Sequence, residues 1–223
     1  MAIGSYTTTT TFDATYGVMK TQTTTGNSIS YDINGASYIG GSYTTTATSV
    51  DGYGTVKESV TIGKAGRDIG TVNEKILSNY TTTSTFGDDG QQVTGQTAGE
   101  SKNLAGLATG NYTTTSTFDA TYGVLKSQIT TGKSISYDIN GNSYIGGAYT
   151  TTATSVDGYG TVKESVTIGI SGRNIGQAGE KILGSYTTTS TFGDDGQQVQ
   201  GITVGESKNL ADMAMGSYTT TSI

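Results

Sequence analysis

The side chains that could do chemistry here are carboxylates, lysines and hydroxyls, because the 223-residue chain contains no His and no Cys. That removes Ser-His-Asp and Cys-His catalysis, zinc sites built from imidazole or thiolate, and any disulfide scaffold. Oxygen chemistry is what is left. Asp88-Asp89 and Asp194-Asp195, each pair flanked by Gly, could offer oxygens to Ca²⁺. Neither lies in an EF-hand loop or a Gly-rich nonapeptide repeat. Acid and base work would need a cleft that raises one carboxyl pKa, and the sequence marks none. A role in turns is sufficient for both pairs. Lys57-Glu58 and Lys163-Glu164 are adjacent in the chain, so on a strand they face opposite ways and read as solvated charges. The sequence therefore predicts a protein that is not an enzyme, with no metal and no cofactor.

The hydroxyls are more informative. Thr accounts for 45 of the 223 residues, and a Tyr-Thr-Thr-Thr motif begins at Tyr6, Tyr43, Tyr80, Tyr112, Tyr149, Tyr186 and Tyr218. Alternation along a strand splits each motif into two faces. One face drifts, as in Tyr6, Thr8, Thr10, Phe12 against Tyr43, Thr45, Ala47, Ser49. The other is Thr throughout: Thr7, Thr9, Thr11; Thr44, Thr46, Thr48; Thr81, Thr83, Thr85; Thr113, Thr115, Thr117; Thr150, Thr152, Thr154; Thr187, Thr189, Thr191. If these strands stack side by side they form a flat grid of hydroxyls and methyls, about 6.7 Å apart along a strand and about 4.8 Å between strands. Such a grid suits plain packing, in which stacked Thr satisfy one another. It equally suits self-assembly, or a coat of O-linked sugar. The Thr-x-Thr-x-Thr spacing also resembles the flat faces of insect antifreeze β-solenoids, and that resemblance implies ice binding; it covers this strand alone and no Cys-bearing coil.

Aromatic residues add a lectin-like possibility. Tyr16, Tyr53, Tyr122 and Tyr159 recur in or beside turns, where rings could stack on sugar or could cover the ends of a thin core. Asn79-Tyr80-Thr81 and Asn111-Tyr112-Thr113 fit the N-glycosylation pattern. Other subrepeats carry Ser or Ala at the Asn position, so the match reads as incidental.

These residues are positioned by a repeat at two levels. Residues 5–110 and 111–216 align without a gap at an offset of 106, with 84 identical positions. Within each long repeat, three subrepeats start near 5, 42 and 79, then near 111, 148 and 185, so their lengths run 37, 37, 32, 37, 37, 32. Residues 1–4 form a lead-in and 217–223 a partial seventh motif. Each subrepeat opens on a β-branched and aromatic run, then turns at Asp13–Gly17, Asp51–Gly54 or Gly87–Gly90 and their equivalents. Ile29, Tyr31 and Ile33 alternate with polar residues before Asn34-Gly35, a tight-turn signal, and Ile135, Tyr137, Ile139 and Asn140-Gly141 repeat it. Only short stretches such as Lys102 to Ala108 could be helical. The fold class expected is all-β: a β-solenoid-like stack of six units with about three strands each. The alternative is antiparallel hairpin repeats closing into a pseudo-threefold prism or a small propeller.

The ends of the chain carry the same phase of the repeat, since Ala2-Ile3-Gly4-Ser5-Tyr6-Thr7 matches Ala214-Met215-Gly216-Ser217-Tyr218-Thr219. A terminal strand without its usual downstream neighbour is either a cap or frayed tail, or a template for another chain. On the second reading Tyr218, Thr220 and Ile223 dock against Tyr6, Thr8 and Phe12 of the next copy, with the chain itself as partner and glycans as covalent additions. A net charge of −6 with two Arg argues against nucleic acid and anionic membrane. No run approaches the roughly 18 apolar residues of a membrane span, and no signal peptide is visible. The expected function is a non-enzymatic extracellular or cell-surface subunit of a fibre or surface layer, the alternative being a binder of ice or carbohydrate.

Overall fold

The computed structural model describes residues 3–223; of the lead-in expected at 1–4, residues 1 and 2 lie outside the described residues. The chain is all-β and divides into two compact units, residues 1–108 with 120–123, and residues 109–119 with 124–223. In the first unit six strands follow one another: β1 (Gly4–Phe12), β2 (Met19–Tyr31), β3 (Ser37–Val50), β4 (Val56–Arg67), β5 (Lys75–Phe86) and β6 (Gln92–Lys102). Each pairs antiparallel with its sequence neighbour inside the unit. The second unit repeats this with β7 (Ala108–Phe118), whose first residue falls in the first unit, β8 (Leu125–Tyr137), β9 (Ser143–Val156), β10 (Val162–Arg173), β11 (Lys181–Phe192), β12 (Gln198–Lys208) and β13 (Ala214–Ser222). Every unit is thus a meander of hairpins.

This pairing corrects the coil-on-coil stack. A subrepeat holds two strands rather than about three, and equivalent Tyr-Thr-Thr-Thr strands are second neighbours with a different strand between them. The reason is local turn chemistry. At Asp51 the carboxylate Oδ1 accepts the backbone N–H of Tyr53 and of Thr55, and Gly54 takes φ 88°, so the chain reverses onto itself within four residues. Asp32 does the same for Asn34 and Ala36, with Gly35 at φ 80°. The segment 102–108 likewise holds a turn and not a helix: Asn103 Oδ1 accepts from Ala105 and Leu107.

Antiparallel register places a single row of residues across each unit. In the first it reads Tyr6, Gly26, Tyr43, Gly63, Tyr80, Gly99, and in the second Tyr112, Gly132, Tyr149, Gly169, Tyr186, Gly205, Tyr218. The rings lie over the glycines of the strand before them. A Cβ added to Gly26 would stand 2.5 Å from Tyr43 Cε1, and one on Gly63, Gly132, Gly169 or Gly205 would strike Tyr80, Tyr149, Tyr186 or Tyr218. The ring substitutes for the side chain that glycine lacks and covers its backbone, which is why mid-strand glycine is tolerated here.

Among the described residues the only buried hydrophobics are Ile69 and Ile175, one per unit. Each sits in the loop after β4 or β10 and donates its backbone N–H to Ile39 or Ile145 at 3.0 Å. A central core is replaced by cross-strand contacts on two solvated faces.

Candidate functional site: the threonine face and the free edges

Every Thr assigned to the uniform face lies on the side opposite the tyrosine rings, yet these Thr do not form a grid of their own. Thr7 is paired through Thr25 to Thr44, Ile62 and Thr81, and Thr9 through Thr23 to Thr46, Val60 and Thr83. In the second unit the corresponding rows are Thr113, Thr131, Thr150, Ile168, Thr187, Val204, Thr219 and Thr115, Ile129, Thr152, Val166, Thr189, Ile202, Thr221. Equivalent Thr are therefore about 9.6 Å apart, twice the strand spacing. The surface is mixed hydroxyl and aliphatic, with Ile62 61 % and Ile168 60 % exposed. Thr44, Thr81, Thr150 and Thr187 flank those two isoleucines and are exposed as well. The third Thr of each motif sits at the bulged end: Thr85 shares a hydrogen bond with Thr94 at 2.6 Å, Thr117 with Ser127 at 2.7 Å, and Thr154 donates to Glu164 at 2.8 Å. Thr48 falls in the bulge of β3, and Thr191 pairs with Glu164 and Gln200.

Comparison of the two long repeats shows which face tolerates change. Within strands, positions on the threonine side differ in chemical type: Thr23 becomes Ile129, Asn27 Lys133, Lys64 Ile170, Gln96 Ile202 and Ala98 Val204. On the tyrosine side the changes are small, such as Thr10 to Ser116 and Ala65 to Ser171. The tyrosine side is the scaffold, and the threonine side is free to vary between its fixed Thr.

The tyrosine side also carries a second row, one position over from the rings. Thr8 and Thr24 share a hydrogen bond at 2.9 Å, and Thr45 with Thr61, Thr82 with Thr97, Thr114 with Thr130, Thr151 with Thr167 and Thr188 with Thr203 do so at 2.8 Å. Burial pushes the Tyr186 phenol above its ordinary pKa, and Tyr149 and Tyr218 on either side add to the shift.

The six residues expected to mediate assembly divide between two strands. Tyr6, Thr8 and Phe12 share the tyrosine side of β1, whose only partner among the described residues is β2. Tyr218 and Thr220 share that side of β13, which pairs with β12, and Ile223 follows it, fully exposed. Both strands are exposed almost throughout. The turn tyrosines Tyr16, Tyr53, Tyr122 and Tyr159 are also exposed, so they do not cover a core.

Carboxylates serve the turns. Asp89 and Asp195 Oδ1 accept the N–H of Gln91 and Gln197. Lys57 is not a simple solvated charge: its Nζ donates to Asp88 at 2.7 Å and to Gly87 O at 3.1 Å, and lies 3.4 Å from Asp51. It thereby ties the β3–β4 turn to the β5–β6 turn, and Lys163 ties Asp157 to Asp194 in the same way. Bonds to Asp88 and Asp194 raise these lysines, and the backbone donors Thr55 and Thr161 hold Asp51 and Asp157 below the usual carboxylate range. Among the described residues no group of three or more Asp or Glu converges as a metal site.

Sequence reasoning missed the covered glycines. A signal was present, because Gly26, Gly63, Gly132 and Gly169 each precede the covering tyrosine by 17 residues, and Gly205 precedes Tyr218 by 13. No protein-family profile matches this chain, and no curated protein is similar to it in sequence.

Proposed function

We propose that the protein is a non-enzymatic structural subunit, six repeat units long, that joins end to end through β-strand pairing into a fibre or surface layer. The observation that carries this reading is the pair of exposed strands β1 and β13, each with one unpaired backbone edge among the described residues. A free strand edge is a ready template for another chain, and neither strand carries Pro or an inward charge to blunt it. Backbone hydrogen bonds would supply affinity, and the Tyr and Thr side chains register. The threonine side would then be the outward surface, open to O-linked sugar, and an extracellular or cell-surface location goes with this role. Negative-stain microscopy of the purified chain should show filaments or sheets that vanish when residues 217–223 are deleted. Monodisperse particles at high concentration, unchanged by the deletion, would refute it.

A second reading is favoured by one observation: each unit presents exposed hydroxyls and methyls of the kind suited to ice, Thr44 and Thr81 beside Ile62 in the first and Thr150 and Thr187 beside Ile168 in the second. Thermal hysteresis that is lost on replacing Thr44, Thr81, Thr150 and Thr187 with Lys is its test.

A further inference from the structure

We propose that assembly proceeds by strand replacement: β13 of one copy takes the place that β1 holds on β2 of the next. The proposal rests on the end-to-end reading above and specifies its chemistry.

Strands β1, β3, β5, β7, β9, β11 and β13 share one motif, and in β3, β5, β9 and β11 it makes two kinds of contact. Its tyrosine leans back over the glycine of the preceding strand, as Tyr43 does on Gly26 and Tyr186 on Gly169. Its threonine two residues later bonds forward to a threonine of the following strand, as Thr45 does to Thr61 and Thr188 to Thr203. The terminal strands each make one kind only. β1 bonds forward through Thr8 and Thr24, but Tyr6 covers no glycine among the described residues and is 74 % exposed. β13 seats Tyr218 on Gly205, but no following strand is paired to it among the described residues for Thr220 to bond forward to.

Docking β13 directly against β1 leaves the tyrosine defect in place. Matching their rows puts Tyr218 beside Tyr6 and Thr220 beside Thr8, so no glycine lies under the free ring. Laying β13 on β2 repairs the first strand's role completely: Tyr218 comes opposite Gly26, and Thr220 opposite Thr24, the partners Tyr6 and Thr8 have now. The two strands are interchangeable in sequence, since Gly4-Ser5-Tyr6-Thr7-Thr8-Thr9 and Gly216-Ser217-Tyr218-Thr219-Thr220-Thr221 are identical in type. One β-ladder is lost and an equivalent one formed, while the displaced β1 regains conformational freedom. The partner is thus a second copy of this chain with its first strand peeled away, as in strand exchange between protomers.

The absence of Cys makes a direct test available. In the full-length Thr8→Cys/Thr24→Cys chain the two substituted positions face each other across β1 and β2, a separation that a disulfide can bridge. Oxidation should lock β1 in place and arrest assembly, and reduction should restore it. In the Thr24→Cys/Thr220→Cys chain, mild oxidation of assembled material should give a ladder of covalent multimers on a non-reducing gel. An oxidised, locked chain that assembles as readily as its reduced form overturns strand replacement while leaving end-to-end pairing in place. Unmodified chain that assembles under no condition overturns both.

Discussion

At the residue scale, the account turns on glycine and tyrosine acting as one unit. A glycine in mid-strand loses more conformational entropy than other residues and offers nothing to pack. Here the ring from the next strand occupies the missing volume, so the pair is stable where either alone would be weak. Gly169→Val would drive its side chain into the Tyr186 ring. Overpacking of this kind costs about 1–3 kcal/mol, and the urea midpoint should fall accordingly. Exposed Thr187 on the other side of the same strand pair should accept Val with little change. The threonine excess in the sequence drew attention to one face, where many of the uniform Thr are exposed, and away from the more conservative scaffold behind it. Its glycine signal is a spacing between residues of different type, which a search for like residues passes over.

At the element scale, the turns were legible and the strand pairing across them was not. Asp-Gly and Asn-Gly turns act within four or five residues, so Asp13–Gly17, Asp51–Gly54 and Asn34-Gly35 turn where their composition says they should. Which strand lies beside which depends on register over nine or more residues, and a run such as Thr7–Thr11 offers Thr to either kind of partner. The turns themselves make a prediction. Asp157 accepts two backbone N–H groups and meets Lys163, so Asp157→Asn should keep the backbone bonds and lose the ion pair, as Asn103 shows a neutral acceptor can cap the same kind of turn. Asp157→Ala should lose both, giving denaturant midpoints in the order native, Asn, Ala. The pH dependence follows from the depressed carboxyls Asp13, Asp51, Glu74, Asp138 and Asp157. A carboxylate whose folded pKa lies below its unfolded value stabilises the fold above the unfolded value, here 3.8 for Asp and 4.5 for Glu. That contribution is lost as pH falls through the folded values. Urea midpoints measured from pH 6 downward should hold and then drop below these values, and the Asp157→Ala chain should show a smaller drop than the native one.

At the scale of the whole molecule, the chain exposes 13481 Å² for a mass of 22.9 kDa. A compact globular monomer of that mass would expose about 9,600 Å². The excess is what single-layer sheets leave open, and it accounts for the near absence of buried hydrophobics. A protein built this way draws its stability from strand neighbours, so the strand that lacks a neighbour is the place where another molecule gains most by binding. On the proposed assembly, the matching sequences of β1 and β13 would make the chain both donor and acceptor of the same element. Sedimentation velocity over a hundredfold concentration range, on the intact chain and on the chain lacking residues 217–223, tests this most directly. The account predicts a weight-average mass that climbs well above 22.9 kDa with concentration for the intact chain, while the shortened chain stays at its own monomer mass at every concentration. An intact chain that remains at 22.9 kDa throughout would contradict it.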